Sequence, residues 1–237
     1  MLDGLKIQLF QDGARIDDIK NAVQNSPLIR GFTTNPTLMR AAGVTDYAAF
    51  AQEAIEVAGD LSISFEVFSD DFEEMEREAR IIKSWGGNTC VKIPITNTKG
   101  ASSVPLIERL SGDGISCNVT AIFTTRQVAE TAAVLVAEVP SIVSVFAGRV
   151  ADTGVDPMPL MTETVGILAD NDGAQALWAS PRELLNVFQA DAVGCHIITA
   201  TPDLLAKLKS VGKDHEVFSL ETVQMFYNDA AACGYKL

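Results

Sequence analysis

At 237 residues, 47% of them hydrophobic and 21% charged, the chain has the make-up of a globular protein with a sizeable core, and suits one large domain, two small ones or one (β/α)8 barrel. A formal net charge of −13 excludes a basic surface for nucleic acid or an anionic membrane, so an anionic substrate has to be held by a local cluster of Arg and Lys. No apolar run approaches the roughly 20 residues of a membrane helix, and residues 1–6 lack the basic-then-apolar pattern of a signal peptide.

Along the chain, short apolar runs alternate with longer amphipathic stretches, without a linker or low-complexity tract. Strands are predicted over 7–11, 29–33, 62–67, 89–93, 115–119, 142–147, 176–179 and 195–199. Helical patterns fall over 46–58, 71–85, 125–138, 158–169, 182–189 and 204–211, the second with Ser69 as candidate N-cap. A further helix over 221–233, within a C-terminal segment 220–237, stands outside the repeats. Strand–helix alternation repeated eight times gives a parallel sheet, and eight units in this length favour closure. The expected fold is α/β: a single (β/α)8 TIM barrel over 1–237 with an additional C-terminal helix. The cysteines Cys90, Cys117, Cys195 and Cys233 form no CxxC pair, which suits reduced thiols in a cytoplasm and not a zinc cluster.

Side chains alternate across a strand, and in a barrel one set faces the centre. If Val91 and Ile93 pack on helices, Cys90 and Lys92 point inward. The same parity turns Ser64 and Glu66 inward from Ile63, Phe65 and Val67, and Ser144 and Phe146 inward from Val143 and Val145. Asn118 and Thr120 share a face, while Asp12, Asn35 and Ser180 close the first, second and seventh strands. Polar residues thus gather at the C-terminal ends of the strands, where barrels place their catalytic groups.

Lys92 is the centre of this set. A lysine in an apolar strand either snorkels, pairs with an acid, or sits in a dry pocket that favours the neutral, nucleophilic amine. With Asp12 and Glu66 as acid–base partners, an inward lysine fits a class I aldol reaction through a Schiff base. Arg149, Ser180 and Arg182 follow the sixth and seventh strands and form a candidate phosphate cradle, with Ser180 capping a helix that starts at Pro181. Thr201-Pro202 repeats the capping pattern after the eighth strand. Each feature alone has a plainer reading: Asp12-Gly13 a turn, Asn35-Pro36 the start of a helix, Ser180-Pro181 a simple cap, Gly148-Arg149 a loop, Phe146 barrel filling. Barrel parity is what makes them converge.

Five segments in order, Gly31-Phe32-Thr33-Thr34-Asn35-Pro36-Thr37, Val91-Lys92-Ile93-Pro94, Asn118-Val119-Thr120-Ala121, Ser144-Val145-Phe146-Ala147-Gly148-Arg149 and Trp178-Ala179-Ser180-Pro181-Arg182, resemble the transaldolase family. The resemblance implies Lys92 as the Schiff-base lysine, Asp12 as the acid–base aspartate, and Glu66 with Thr120 as holders of the catalytic water. It implies that Asn35, Asn118, Ser144 and Phe146 surround the sugar, and that Arg149, Ser180 and Arg182 hold its phosphate. The implied activity moves a dihydroxyacetone unit from fructose 6-phosphate or sedoheptulose 7-phosphate to an aldose phosphate in the non-oxidative pentose phosphate pathway. No metal or organic cofactor is implied, nor a nucleic-acid or membrane partner.

Fructose 6-phosphate aldolases, close relatives of the small transaldolases, carry Gln at Glu66 and Tyr at Phe146, so both positions favour the transferase. Pro181 departs from the Phe that many relatives carry there. Small members of the family form pentameric rings paired into decamers, which implies a homo-oligomer with Leu220, Val223, Met225 and Phe226 as contact candidates. A non-catalytic sugar-phosphate-binding barrel is the rival from another class. A metal-dependent aldolase is disfavoured by the presence of only His196 and His215.

Overall fold

A computed structural model describes residues 2–234. Eight parallel strands close into a barrel in chain order: β1 (Gln8–Asp12), β2 (Ile29–Thr33), β3 (Ser62–Glu66), β4 (Thr89–Pro94), β5 (Cys117–Ile122), β6 (Ser141–Val145), β7 (Ala174–Trp178) and β8 (Ile197–Ala200). The main helices between them are α1 (Ile16–Asn25), α2 (Pro36–Ala41), α3 (Tyr47–Ala58), α4 (Phe72–Ser84), α5 (Val104–Gly112) and α6 (Thr125–Ala132). There follow α7 (Ala147–Ala151), α8 (Met158–Leu168), α9 (Leu185–Ala192), α10 (Pro202–Leu205) and α11 (His215–Cys233). The (β/α)8 barrel expected from the alternation is the observed fold.

Strand parity follows the apolar pattern. Ile63, Phe65, Val91, Ile93, Val143 and Val145 join the large core between barrel and helices, while Phe10, Cys90, Ile142, Leu177 and Ile197 form a separate apolar plug inside the barrel. The strands are buried on both faces, as a parallel sheet under helices requires. Gly31 makes room for the plug: a Cβ there would sit 2.5 Å from the Phe10 ring. The plug fills the middle of the barrel, so the polar inward residues above it open only toward the C-terminal end.

Several boundaries differ from the sequence expectation. Asp71, not Ser69, caps α4, its carboxylate accepting from the Glu73 and Glu74 amides; the Ser69 hydroxyl accepts from the Asp71 amide. Thr124 and Gln127 form a reciprocal capping box for α6, which ends at Ala132 and not at 138. The strand expected over 115–119 starts at Cys117 and runs to Ile122, and Ala121 within it takes φ +58° where the β5–β6 register shifts. The 204–211 segment splits into α10 and a 3-10 turn over Ala206–Ser210, and Thr201 takes the cap position of α10 without a side-chain bond. Periodicity singled out neither α1 nor α5, which complete the repeats.

The C-terminal helix starts at His215, earlier than expected, with Asp214 as its N-cap. None of its residues is buried, and Leu220, Val223, Met225, Phe226 and Tyr227 are 50% or more exposed. Residues 235–237 of the 220–237 segment lie outside the described residues. Among the described residues, no helix is long and apolar enough to cross a membrane.

Candidate active site

The C-terminal ends of the strands surround a cavity of about 540 Å³. Every candidate catalytic or substrate-binding residue named above lines it: Asp12, Asn35, Glu66, Lys92, Asn118, Thr120, Ser144, Phe146, Arg149, Ser180 and Arg182. They line one cavity because the strands that carry or precede them all end on the same side of the barrel.

Lys92 is 7% exposed. Its Nζ donates to the Thr34 carbonyl at 2.8 Å and stands 3.0 Å from Glu66 Oε2. The side chain does not snorkel: the amine is buried, and inside the barrel it is met by a carboxylate and a carbonyl. Register puts the pair together, since Glu66 and Lys92 are partners in the β3–β4 ladder. Tyr47 of α3 supports Glu66 from behind, its hydroxyl donating to the Glu66 carbonyl at 2.9 Å.

Asp12 closes β1. Thr33 Oγ1 donates to its Oδ1 at 2.7 Å, and Asn35 Nδ2 to its Oδ2 at 3.3 Å. Desolvation raises the carboxyl above its usual range; the Lys92 charge and the two donors oppose that rise. Asn35 is also the N-cap of α2, with Oδ1 accepting from the Leu38 amide at 3.0 Å and Pro36 in the first turn. Capping on one side and Asp12 on the other fix the orientation of this amide. Asn35-Pro36 therefore starts a helix, as its plain reading has it, and Asn35 also lines the cavity.

Across the cavity, Ser144 Oγ donates to Asn118 Oδ1 at 2.6 Å, and Asn118 Nδ2 donates to Ser64 Oγ at 3.0 Å. Asn118 and Ser64 are both fully buried. Thr120 lies beside them, two residues along β5. Phe146 is half-buried, its ring centroid 5.7 Å from that of Phe123 and 5.5 Å from the Arg149 guanidinium.

The candidate anion end differs from the sequence expectation. Ser180 does not cap a helix: it takes φ +57°, and α9 begins only at Leu185. The Arg182 and Glu183 amides are bound instead by Asn186 Oδ1, at 2.7 and 3.1 Å. Arg182 Nε reaches both carboxylate oxygens of Asp152, at 2.9 and 3.1 Å, and the pair keeps the Asp152 carboxyl below its usual range. Arg149 and Ser180 are brought together by direct backbone docking of the loops after β6 and β7. A Cβ on Gly148 would fall 1.6 Å from the Ser180 carbonyl oxygen, so only glycine permits the approach. The Gly148 amide donates to the Ala179 carbonyl at 3.2 Å.

Thr33 and Thr199 were not anticipated as site residues. Both line the cavity, and their hydroxyls lie 2.6 Å apart. The signal for Thr199 in the sequence is its place at the end of the eighth predicted strand.

The chain is similar to proteins of a known family. Residues 9–237 match the family model described as "Transaldolase/Fructose-6-phosphate aldolase". The chain is 38% identical over 195 residues to a protein of Roseiflexus castenholzii named "Probable transaldolase", an alignment covering 81% of this chain and 85% of that one. It is 32% identical over 234 residues to a protein of the same name from Sphingopyxis alaskensis, covering 98% of this chain and all of that one. A solved structure of a flavocytochrome b2 mutant superposes with a TM-score of 0.56 at 14% identity, over 83% of this chain and 57% of that one, a likeness of fold alone.

Proposed function

Because the chain belongs to the transaldolase/fructose-6-phosphate aldolase family, we propose that it is a transaldolase, moving dihydroxyacetone between sugar phosphates through a Schiff base on Lys92. The observation that carries this reading is the buried Lys92 amine 3.0 Å from a carboxylate, in a cavity lined by polar groups.

In this mechanism Glu66 takes the proton that Lys92 must lose before attack on the ketose carbonyl. Water leaves the carbinolamine and an iminium ion forms. Asp12 removes the proton of the hydroxyl beyond the breaking bond, the carbon–carbon bond cleaves into the iminium, and an aldose phosphate departs. The enamine left on Lys92 attacks the next aldose phosphate, Asp12 returns its proton, and water held by Glu66 and Thr120 releases the product. Asn35, Asn118 and Ser144 supply donors and acceptors for the sugar hydroxyls. Arg149, Arg182 and Ser180 receive the phosphate, which competes with Asp152 for the Arg182 guanidinium.

Phe146 has no proton to give the enamine, so the three-carbon unit waits for an acceptor. This favours transfer over aldol cleavage. The test is incubation with fructose 6-phosphate, with and without erythrose 4-phosphate. Sedoheptulose 7-phosphate formed only with the acceptor supports the transferase. Rapid release of free dihydroxyacetone without it supports the aldolase. Binding without turnover supports the non-catalytic barrel. The reading fits cytoplasmic metabolism of pentose phosphates.

We infer also that α11 packs on a neighbouring copy in a ring-forming homo-oligomer, which would cover Leu220, Val223 and Phe226. Light scattering tests this: removal of residues 215–237 is expected to lower the particle mass to that of a monomer. A monomeric intact chain contradicts it.

A further inference from the structure

The hydroxyl pair formed by Thr33 and Thr199 has no role in the reaction as written. Strands β2 and β8 flank β1, and Thr33 is the register partner of Asp12, Thr199 that of Phe10. Both threonines are buried. Alternate strands β2, β4, β6 and β8 give Thr33, Lys92, Ser144 and Thr199 to the cavity, one side chain each, in the manner of a barrel layer. Ile197, two residues earlier on the same face of β8, belongs to the apolar plug below.

A hydroxyl carries one proton. With Asp12 ionised, Thr33 spends its proton on Asp12 Oδ1, and the 2.6 Å contact then runs from Thr199 as donor to Thr33 as acceptor. Asn35 donates to the other carboxylate oxygen. In that arrangement both oxygens of Asp12 face donors, which suits the anion.

We propose that Thr199 is a positioning residue: through Thr33 it directs a chain of hydroxyls at Asp12 and holds that side chain as a carboxylate, ready to act as a base. The proposal rests on the functional reading above. The charged groups that act on Asp12 are Lys92 from β4 and Glu66 from β3, while β2 and β8 present neutral hydroxyls and the cap of α2 an amide. Desolvation and Glu66 favour the acid; Lys92, Thr33 and Asn35 favour the anion. A donor to Thr33 polarises the O–H that Thr33 offers Asp12 and adds to the second group.

The test is the pH dependence of kcat for transfer by wild type, Thr199→Val, Thr199→Ala and Thr199→Ser. The acid limb of Thr199→Val and Thr199→Ala is expected to move up by about 0.5–1 pH unit, with rates converging at higher pH, while Thr199→Ser stays on the wild-type curve. Ala and Ser differ by the hydroxyl alone, so their comparison decides the matter even where the valine variant does not fold. Coincident acid limbs for wild type and Thr199→Ala overturn the proposal, as does a Thr199→Ser limb displaced as far as that of Thr199→Ala. A wild-type protein that neither transfers dihydroxyacetone nor forms a Lys92 adduct overturns the functional reading first; active wild type with coincident limbs overturns the relay alone.

Discussion

Glu66 and Lys92 are partners across the β3–β4 ladder, and their side chains meet at 3.0 Å inside the barrel. Proton transfer between them is the first chemical step of the proposed reaction. Glu66→Gln keeps the shape and removes the proton acceptor. It is expected to lower kcat about 10²-fold, within the range of general acid–base effects, while a Lys92 adduct still forms slowly. Single-turnover kinetics measure this; an unchanged rate of adduct formation contradicts the role.

In the proposed reaction Phe146 decides the fate of the enamine. Its ring lies near both Phe123 and Arg149, and Phe146→Tyr would add a hydroxyl while keeping the ring. The variant is expected to release dihydroxyacetone from fructose 6-phosphate without an acceptor, at least about tenfold faster than wild type, as general acid catalysis allows. Release measured by an enzyme-coupled assay checks this, and equal release by both proteins counts against it.

Arg149 carries no Asp152 clamp of the kind that holds Arg182. Charge-assisted hydrogen bonds contribute about 1.5–3 kcal/mol, so Arg149→Ala is expected to raise KM for a phosphorylated acceptor by roughly 10- to 10²-fold. KM for unphosphorylated glyceraldehyde should change little. Equal effects on both acceptors would remove Arg149 from the phosphate site.

Asp12 links the site to stability. Its folded carboxyl titrates above the ordinary aspartate range, chiefly through desolvation. The folded state therefore binds the proton more tightly than the unfolded state does. Stability is lost as pH rises from the unfolded value, about 4, through the folded one. Asp12→Asn lacks this titration. Relative to Asp12→Asn, the wild-type Tm is expected to fall as pH rises from 4 toward neutrality, although the variant loses most of its activity. Calorimetry across that range checks the sign, and parallel Tm curves contradict it.

Much of this arrangement is legible in the chain because barrel parity is local. Val91 and Ile93 identify the helix-facing side of β4, and that alone turns Lys92 inward. Local signals were weaker where two fitted equally well. Ser69 and Asp71 are both good caps, and the choice falls to Asp71 because α4 begins at Phe72. Ser180-Pro181 has the look of a cap, yet the close approach of Gly148 to the Ser180 carbonyl, with Ser180 at φ +57°, delays the helix to Leu185. The hydroxyl pair of Thr33 and Thr199 depends on closure of β8 onto β1, a contact across 166 positions that no local pattern encodes.

The central claim is that Lys92 carries the substrate. Borohydride added to the protein with fructose 6-phosphate, followed by peptide mass spectrometry, tests it most directly. The account predicts a reduced three-carbon adduct on the Lys92 peptide, absent from Lys92→Met. An unmodified Lys92 peptide under turnover conditions would contradict it.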